Sequence, residues 1–125
     1  MKHPLMQTIT VAEVKTAALK AHAEGRLTAQ GPWAGSMRGC SYCEGHEGKL
    51  YGCAVGVALT EETTDYIRAS GNTNKRLSVL VTLGILAVDD RTTLDRIQEA
   101  HDAWVSVLDT AGRAHYEAEF LKLIH

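Results

Sequence analysis

Asp89-Asp90-Arg91-Thr92-Thr93-Leu94-Asp95-Arg96-Ile97-Gln98-Glu99-Ala100-His101-Asp102-Ala103-Trp104-Val105-Ser106-Val107-Leu108 is the stretch that decides the fold class. Leu94, Ile97, His101, Trp104, Val105 and Leu108 step along one stripe at helical spacing. Asp95, Arg96, Glu99 and Asp102 fall off it, so one face is apolar and the other is wet. The Asp89-Asp90 pair supplies a cap for a helix over 92–108. Gly112 then reads as a breaker, followed by a last helix over 113–124 around Phe120, Leu121 and Ile124.

Upstream, Thr10-Val11-Ala12-Glu13 has the form of a capping box, in which a hydroxyl and a carboxylate each satisfy an orphan amide. It opens a helix over 11–24 with Val11, Val14, Ala18, Ala21 and His22 on one face, and Gly25 is its stop. Leu5, Met6 and Ile9 are placed to cover the start of that helix. Residues 51–59 read two ways. Tyr51, Cys53, Val55, Val57 and Leu59 alternate as in a strand, while Gly52, Ala54, Gly56 and Ala58 suit a closely packed helix. The helix-compatible residues up to Gly71 favour a helix that begins near Cys53. Asn72-Thr73-Asn74 reads as a turn and cap before a helix over 75–83, with Gly84 as its stop. The expectation is mainly α: one compact domain over 1–125 with about five helices.

Between the first two helices lies a long glycine-rich loop, residues 26–50. Gly31, Gly35, Gly39, Gly45, Gly48 and Pro32 break regular structure there. A loop of that length in a small domain is usually functional or held by a ligand.

Composition bounds the function. The chain has 125 residues, 45% of them hydrophobic and 22% charged, with a net charge of −2. Its 13 basic residues are scattered, which argues against a dedicated nucleic-acid or membrane-surface binder. The longest nearly apolar run, residues 77–88, is too short for a membrane span, which needs about 20 residues. The start Met1-Lys2-His3-Pro4-Leu5 lacks the apolar segment of a secretory signal. An odd number of cysteines with CxxC spacing fits a reducing compartment, so a cytoplasmic protein is expected.

All three cysteines lie close together with a histidine, in the order Cys40-x2-Cys43-x2-His46-x6-Cys53. Zinc takes four nitrogen or sulfur ligands in a tetrahedron, and two thiolates two residues apart can chelate one ion from a turn. These four residues are therefore candidate zinc ligands. A zinc with four protein ligands would order the loop and leave no open position for catalysis. A redox CxxC is disfavoured, because the motif does not follow a strand and open a helix. The plain alternative is incidental loop thiols and a solvated His46.

A second chemistry competes for Cys53. A thiol at a helix start feels the positive end of the helix dipole, and His101 is an unexpected polar ring on the apolar stripe. Cys53 and His101 are thus a candidate nucleophile–base pair for a small thiol-dependent enzyme. Asp102 is badly placed to orient the same imidazole, since adjacent helical residues point about 100° apart. The structural alternative is a core thiol and a core histidine. Trp33 is a candidate partner anchor in the loop, and Trp104 and His22 read as packed residues.

Gly52-Cys53-Ala54-Val55-Gly56, the acidic segment Glu61-Glu62 to Asp65-Tyr66, Leu83-Gly84 and Ala100-His101-Asp102 together resemble a group of small uncharacterised bacterial and phage proteins. Those carry a Cys-x-Ile-Gly-type segment, a downstream Leu-Gly and a late His-Asp; here Val55 replaces the isoleucine. The resemblance spans residues 52–123 and leaves out the 40–46 cluster. It implies the helical fold and a phage or prophage origin, and it carries no activity. The leading expectation is a non-enzymatic phage or mobile-element accessory protein. Its partner would be a host macromolecule or a small ligand, and zinc its stabilising ion.

Overall fold

The computed structural model describes residues 3–31, 44–72 and 75–125, with the backbone alone for 44–46 and 49. Cys40, Cys43, Trp33 and the turn at Thr73-Asn74 lie outside the described residues. Among the described residues the chain is mainly helical, as expected. Its α-helices are α1 (Val11–Glu24), α2 (Glu61–Ala69), α3 (Leu77–Thr82), α4 (Arg91–Ser106) and α5 (Thr110–Ile124). Four short strands join them: β1 (Gln7–Ile9), β2 (Glu44–His46), β3 (Lys49–Tyr51) and β4 (Leu86–Val88).

The N-terminal segment was expected only to cover α1. Its residues 7–9 form a strand paired in parallel with β4, from Gln7 opposite Leu86 to Ile9 opposite Val88. The Met6 amide extends the ladder to the Ile85 carbonyl at 2.8 Å. On its other side β1 is closed by a side chain. The Gln7 amide donates to the Ala58 carbonyl at 3.0 Å and accepts from the Thr60 amide at 2.9 Å.

Both strands of that pair lead straight into helices, and Asp89-Asp90 serves both. Asp90 is the N-cap of α4 and accepts from the Thr93 amide at 3.1 Å. Asp89 instead reaches across to the first amide of α1, at Val11, at 3.0 Å. Thr10 caps α1 by accepting from the Glu13 amide, and Gly25 ends it in the left-handed conformation at φ 68°. The Glu13 carboxylate accepts from the Thr10 hydroxyl at 3.0 Å, where a full capping box would use the Thr10 amide.

Two expected boundaries are wrong. No α-helix begins at Cys53. After β3 the chain makes a turn and a single 3-10 turn, Gly56–Ala58, and α2 starts at Glu61 with Thr60 as its cap. Nor does Gly112 break the last helix. α4 ends at Ser106, Val107 is extended, and Asp109 caps α5 by accepting from the Gly112 amide at 2.7 Å. Gly112 is therefore the third residue of α5.

The core runs through every layer. Ile9, Val14, Ala18, Ala21, Leu80, Leu86, Leu94, Ile97, Trp104 and Phe120 share one buried cluster, joined by Leu27, Ala29 and Cys53 to Val55 from the connections. α4 packs on α5 through Trp104 and Phe120, whose rings lie 5.8 Å apart. His22 of α1 ties down α5 through Glu117 at 2.8 Å.

Candidate functional site

The expected loop over 26–50 is an excursion that leaves and re-enters the body at one point. Leu27 and Gly52 form a parallel bridge. The Gly52 amide donates to the Arg26 carbonyl at 3.0 Å, and the Thr28 amide donates to the Gly52 carbonyl at 2.9 Å. A 3-10 turn, Thr28–Gln30, follows on the outgoing side. The Gln30 side chain fastens it by accepting from the Leu27 amide at 3.1 Å and donating to the His22 carbonyl at 3.0 Å.

On the returning side β2 and β3 form an antiparallel hairpin, with Glu44 opposite Tyr51 and His46 opposite Lys49. Glu47 and Gly48 make its two-residue turn, with φ of 49° and 77°. Positive φ at both positions gives the turn whose twist matches the strands. The hairpin register puts Glu44, which adjoins Cys43 in sequence, beside Tyr51, two residues before Cys53. His46 lies at the turn end of the same ladder, and its side chain is outside the described residues.

Cys53 sits just inside the neck and is 1% exposed. Its sulfur accepts from the Gly56 amide at 3.3 Å. The dipole of a long helix, invoked from sequence to activate this thiol, is missing, because only a 3-10 turn of three residues follows.

His101 is fully buried at the middle of the α4 stripe. Its ring meets Trp104 edge-on at 6.2 Å and Phe120 at 5.8 Å. The Nε2 atom accepts from the Ala29 amide at 3.3 Å. An accepting Nε2 carries no proton, so the neutral ring holds its hydrogen on Nδ1. That Nδ1 has no hydrogen-bond partner among the described residues. Asp102 Oδ1 lies 3.5 Å from it, an ion-pair distance only if the ring is charged, and outside hydrogen-bond geometry. The half-exposed Asp102 carboxylate is engaged by Gln98, whose Nε2 donates to it at 3.1 Å. Asp102 does not orient the ring, in keeping with its position one residue along the helix.

Cys53 and His101 both belong to the core, His101 on α4 and Cys53 in the turn that lies against it. No hydrogen bond joins them among the described residues: the sulfur is paired with Gly56 and the imidazole with Ala29. A thiol–imidazole pair works by passing the thiol proton to the ring, which needs a direct bond or one bridging water.

Sequence reasoning missed three members of this region. Gln98 accepts from the Val55 amide at 3.0 Å, holding the Cys53 turn against α4. Arg113 donates through Nη2 to the Ala29 carbonyl and through Nη1 to the Trp104 and Val107 carbonyls, both at 3.2 Å. Ala29 is thereby gripped at both its amide and its carbonyl. These contacts end on backbone groups, which leave no side-chain pattern to read.

No group of three or more histidine, cysteine, aspartate or glutamate side chains suited to a metal ion is found among the described residues. No helix among them is long and apolar enough to cross a membrane. Neither a protein family, nor a curated protein, nor a solved structure matches this chain.

Proposed function

We propose that the protein is a non-enzymatic accessory protein of phage or mobile-element type, working in the cytoplasm. It binds a host macromolecule or a small ligand through the excursion between Leu27 and Gly52, and the helical body is its scaffold. The observation that carries this reading is the closed neck. A segment whose two ends are hydrogen-bonded together and fastened to α1, α4 and α5 is presented by a rigid base. Leu50, 53% exposed on the hairpin, gives that segment an apolar contact of its own.

Zinc is part of the proposal, held by Cys40, Cys43, His46 and Cys53. Three thiolates and one imidazole are a donor set that zinc favours. The hairpin ladder supports it by bringing the chain next to Cys43 back beside the approach to Cys53. Zinc bound there orders the excursion. The burial of Cys53 and the separate engagement of His101 weigh against the alternative, a small thiol-dependent enzyme using Cys53 and His101.

Metal analysis and thiol titration of the same purified sample test the reading. One zinc per chain with all three thiols protected is the expected result. Cys53 reacting fast in metal-free protein, and slowing in His101→Ala, would sink the binding reading and establish the enzyme. No metal with a slow Cys53 removes zinc and leaves the presented segment without it.

A further inference from the structure

We propose that Ala29, gripped between His101 and Arg113, is the latch of the neck at Leu27–Gly52, and that releasing it opens the neck while the helical body stays folded. The neck itself consists of two backbone hydrogen bonds about Gly52. So short a pairing is marginal in water unless something packs or fastens it. Thr28 and Ala29 divide that work. The Thr28 amide faces the returning chain at Gly52, and the next peptide faces the body. There the Ala29 amide is held by His101 Nε2 of α4 and its carbonyl by Arg113 Nη2 of α5.

Both grips reach far along the chain, 72 and 84 residues away. Neither is needed to hold α4 to α5, which have the Trp104–Phe120 contact between them. Arg113 adds a second connection. Its Nη1 takes the Trp104 and Val107 carbonyls at the end of α4, where helical carbonyls lack partners. One guanidinium thus joins the end of α4, the start of α5 and the neck. His101 completes the grip only as the Nδ1–H tautomer, since a hydrogen on Nε2 would meet the Ala29 amide donor to donor.

The neck is therefore a small unit on the body, joined to it by Gln30 on the His22 carbonyl and by Leu27 in the core, and Ala29 is the residue at which α4 and α5 both hold it. Local opening of such a unit costs its hydrogen bonds and the burial of Leu27 and Ala29, which is less than global unfolding. Anything that grips the excursion better with the neck closed is coupled through Ala29 to the α4–α5 junction, and the coupling is reciprocal. The latch stands independently of what the excursion binds and of zinc.

Hydrogen exchange on the full chain, followed by mass spectrometry, tests it with His101→Phe and Arg113→Met. Phenylalanine keeps the aromatic packing and lacks the acceptor; methionine keeps the apolar stem and lacks the donors. Each variant is expected to speed exchange in 27–31 and 44–52 by about tenfold, the scale of one lost hydrogen bond, with 94–103 and 114–124 unchanged; the end of α4 is no control, because Arg113→Met also frees the Trp104 and Val107 carbonyls. Faster exchange at Ala29 alone, or equal acceleration in α4 and α5, overturns the latch. Should His101→Phe fail to fold, the half-buried Arg113→Met decides the outcome by the same two regions.

Discussion

At Gly112, helix propensity and packing pull in opposite directions. Alanine is better than glycine in a helix by about 0.8–1.0 kcal/mol. Yet a Cβ on Gly112 would meet Asp109 Oδ1 and Val107 Cγ2, both at 2.7 Å. Overpacking costs about 1–3 kcal/mol, and a displaced Asp109 cap about 0.5–2 kcal/mol more. Gly112→Ala is therefore expected to lower stability in a denaturant melt, against the propensity scale. A neutral or stabilising result would show that Val107 and Asp109 yield freely. Phe120 touches both His101 and Trp104 and is fully buried, so Phe120→Ala should cost about 3–5 kcal/mol. Loss of the near-ultraviolet signal of Trp104 would accompany it. At this scale the candidate site was half legible. Cysteine and an inward histidine are conspicuous as residue types. Their partners are the amides of Gly56 and Ala29, and an amide looks the same at every position of a sequence.

Among the elements, the capping aspartates make the sharpest predictions. Asp90 carries its charge against the hydroxyl and amide of Thr93, and these hydrogen bonds hold its carboxyl below the usual range. The sign follows: its contribution to α4 is complete above the ordinary carboxylate pKa and is lost as pH falls through the lowered one. Asp90→Asn keeps a capping oxygen and removes the titration. The acid limb of the stability profile should accordingly become shallower in that variant, and an unchanged limb would refute it. Asp89→Ala should destabilise by about 0.5–2 kcal/mol although Asp89 lies in the cap of a different helix, because it is α1 that loses an acceptor. A double variant with Thr10→Ala tests this: the two effects should not add, since both act on the first turn of α1.

The long helices were legible because stripe, cap and stop agree, as in α1 with Thr10 and Gly25. β1 and β4 were not, since three residues are too few to display a period of two. The 51–59 segment misled because alternating small and apolar residues satisfy a strand and a packed helix equally. The actual start of α2 is marked by Thr60 ahead of Glu61-Glu62, a cap with acidic first-turn residues. At the α4–α5 junction the glycine drew the eye, while Asp109 three residues earlier held the signal.

For the molecule as a whole, the β1–β4 ladder joins positions 79 residues apart in a chain of 125, Gln7 with Leu86. Ile9, fully buried, is its anchor. Ile9→Ala should cost about 2–5 kcal/mol and still unfold in one transition, because the same core contains α1, α4 and α5. Separate transitions for tryptophan fluorescence and helical circular dichroism would contradict that single core. The Leu27–Gly52 neck has a different consequence. None of the described residues between Gln30 and Gly52 belongs to the buried cluster, and bridged backbones stand only about 4.8 Å apart. Closing a loop across such a gap costs only about 0.6 kcal/mol more for each doubling of its length. The position is thus a natural socket for exchange. Replacing 31–51 with an unrelated peptide of about a dozen residues or more, the length a parallel pairing needs, leaves the same core to fold, so recognition can be rewritten at this socket without redesigning the protein that carries it.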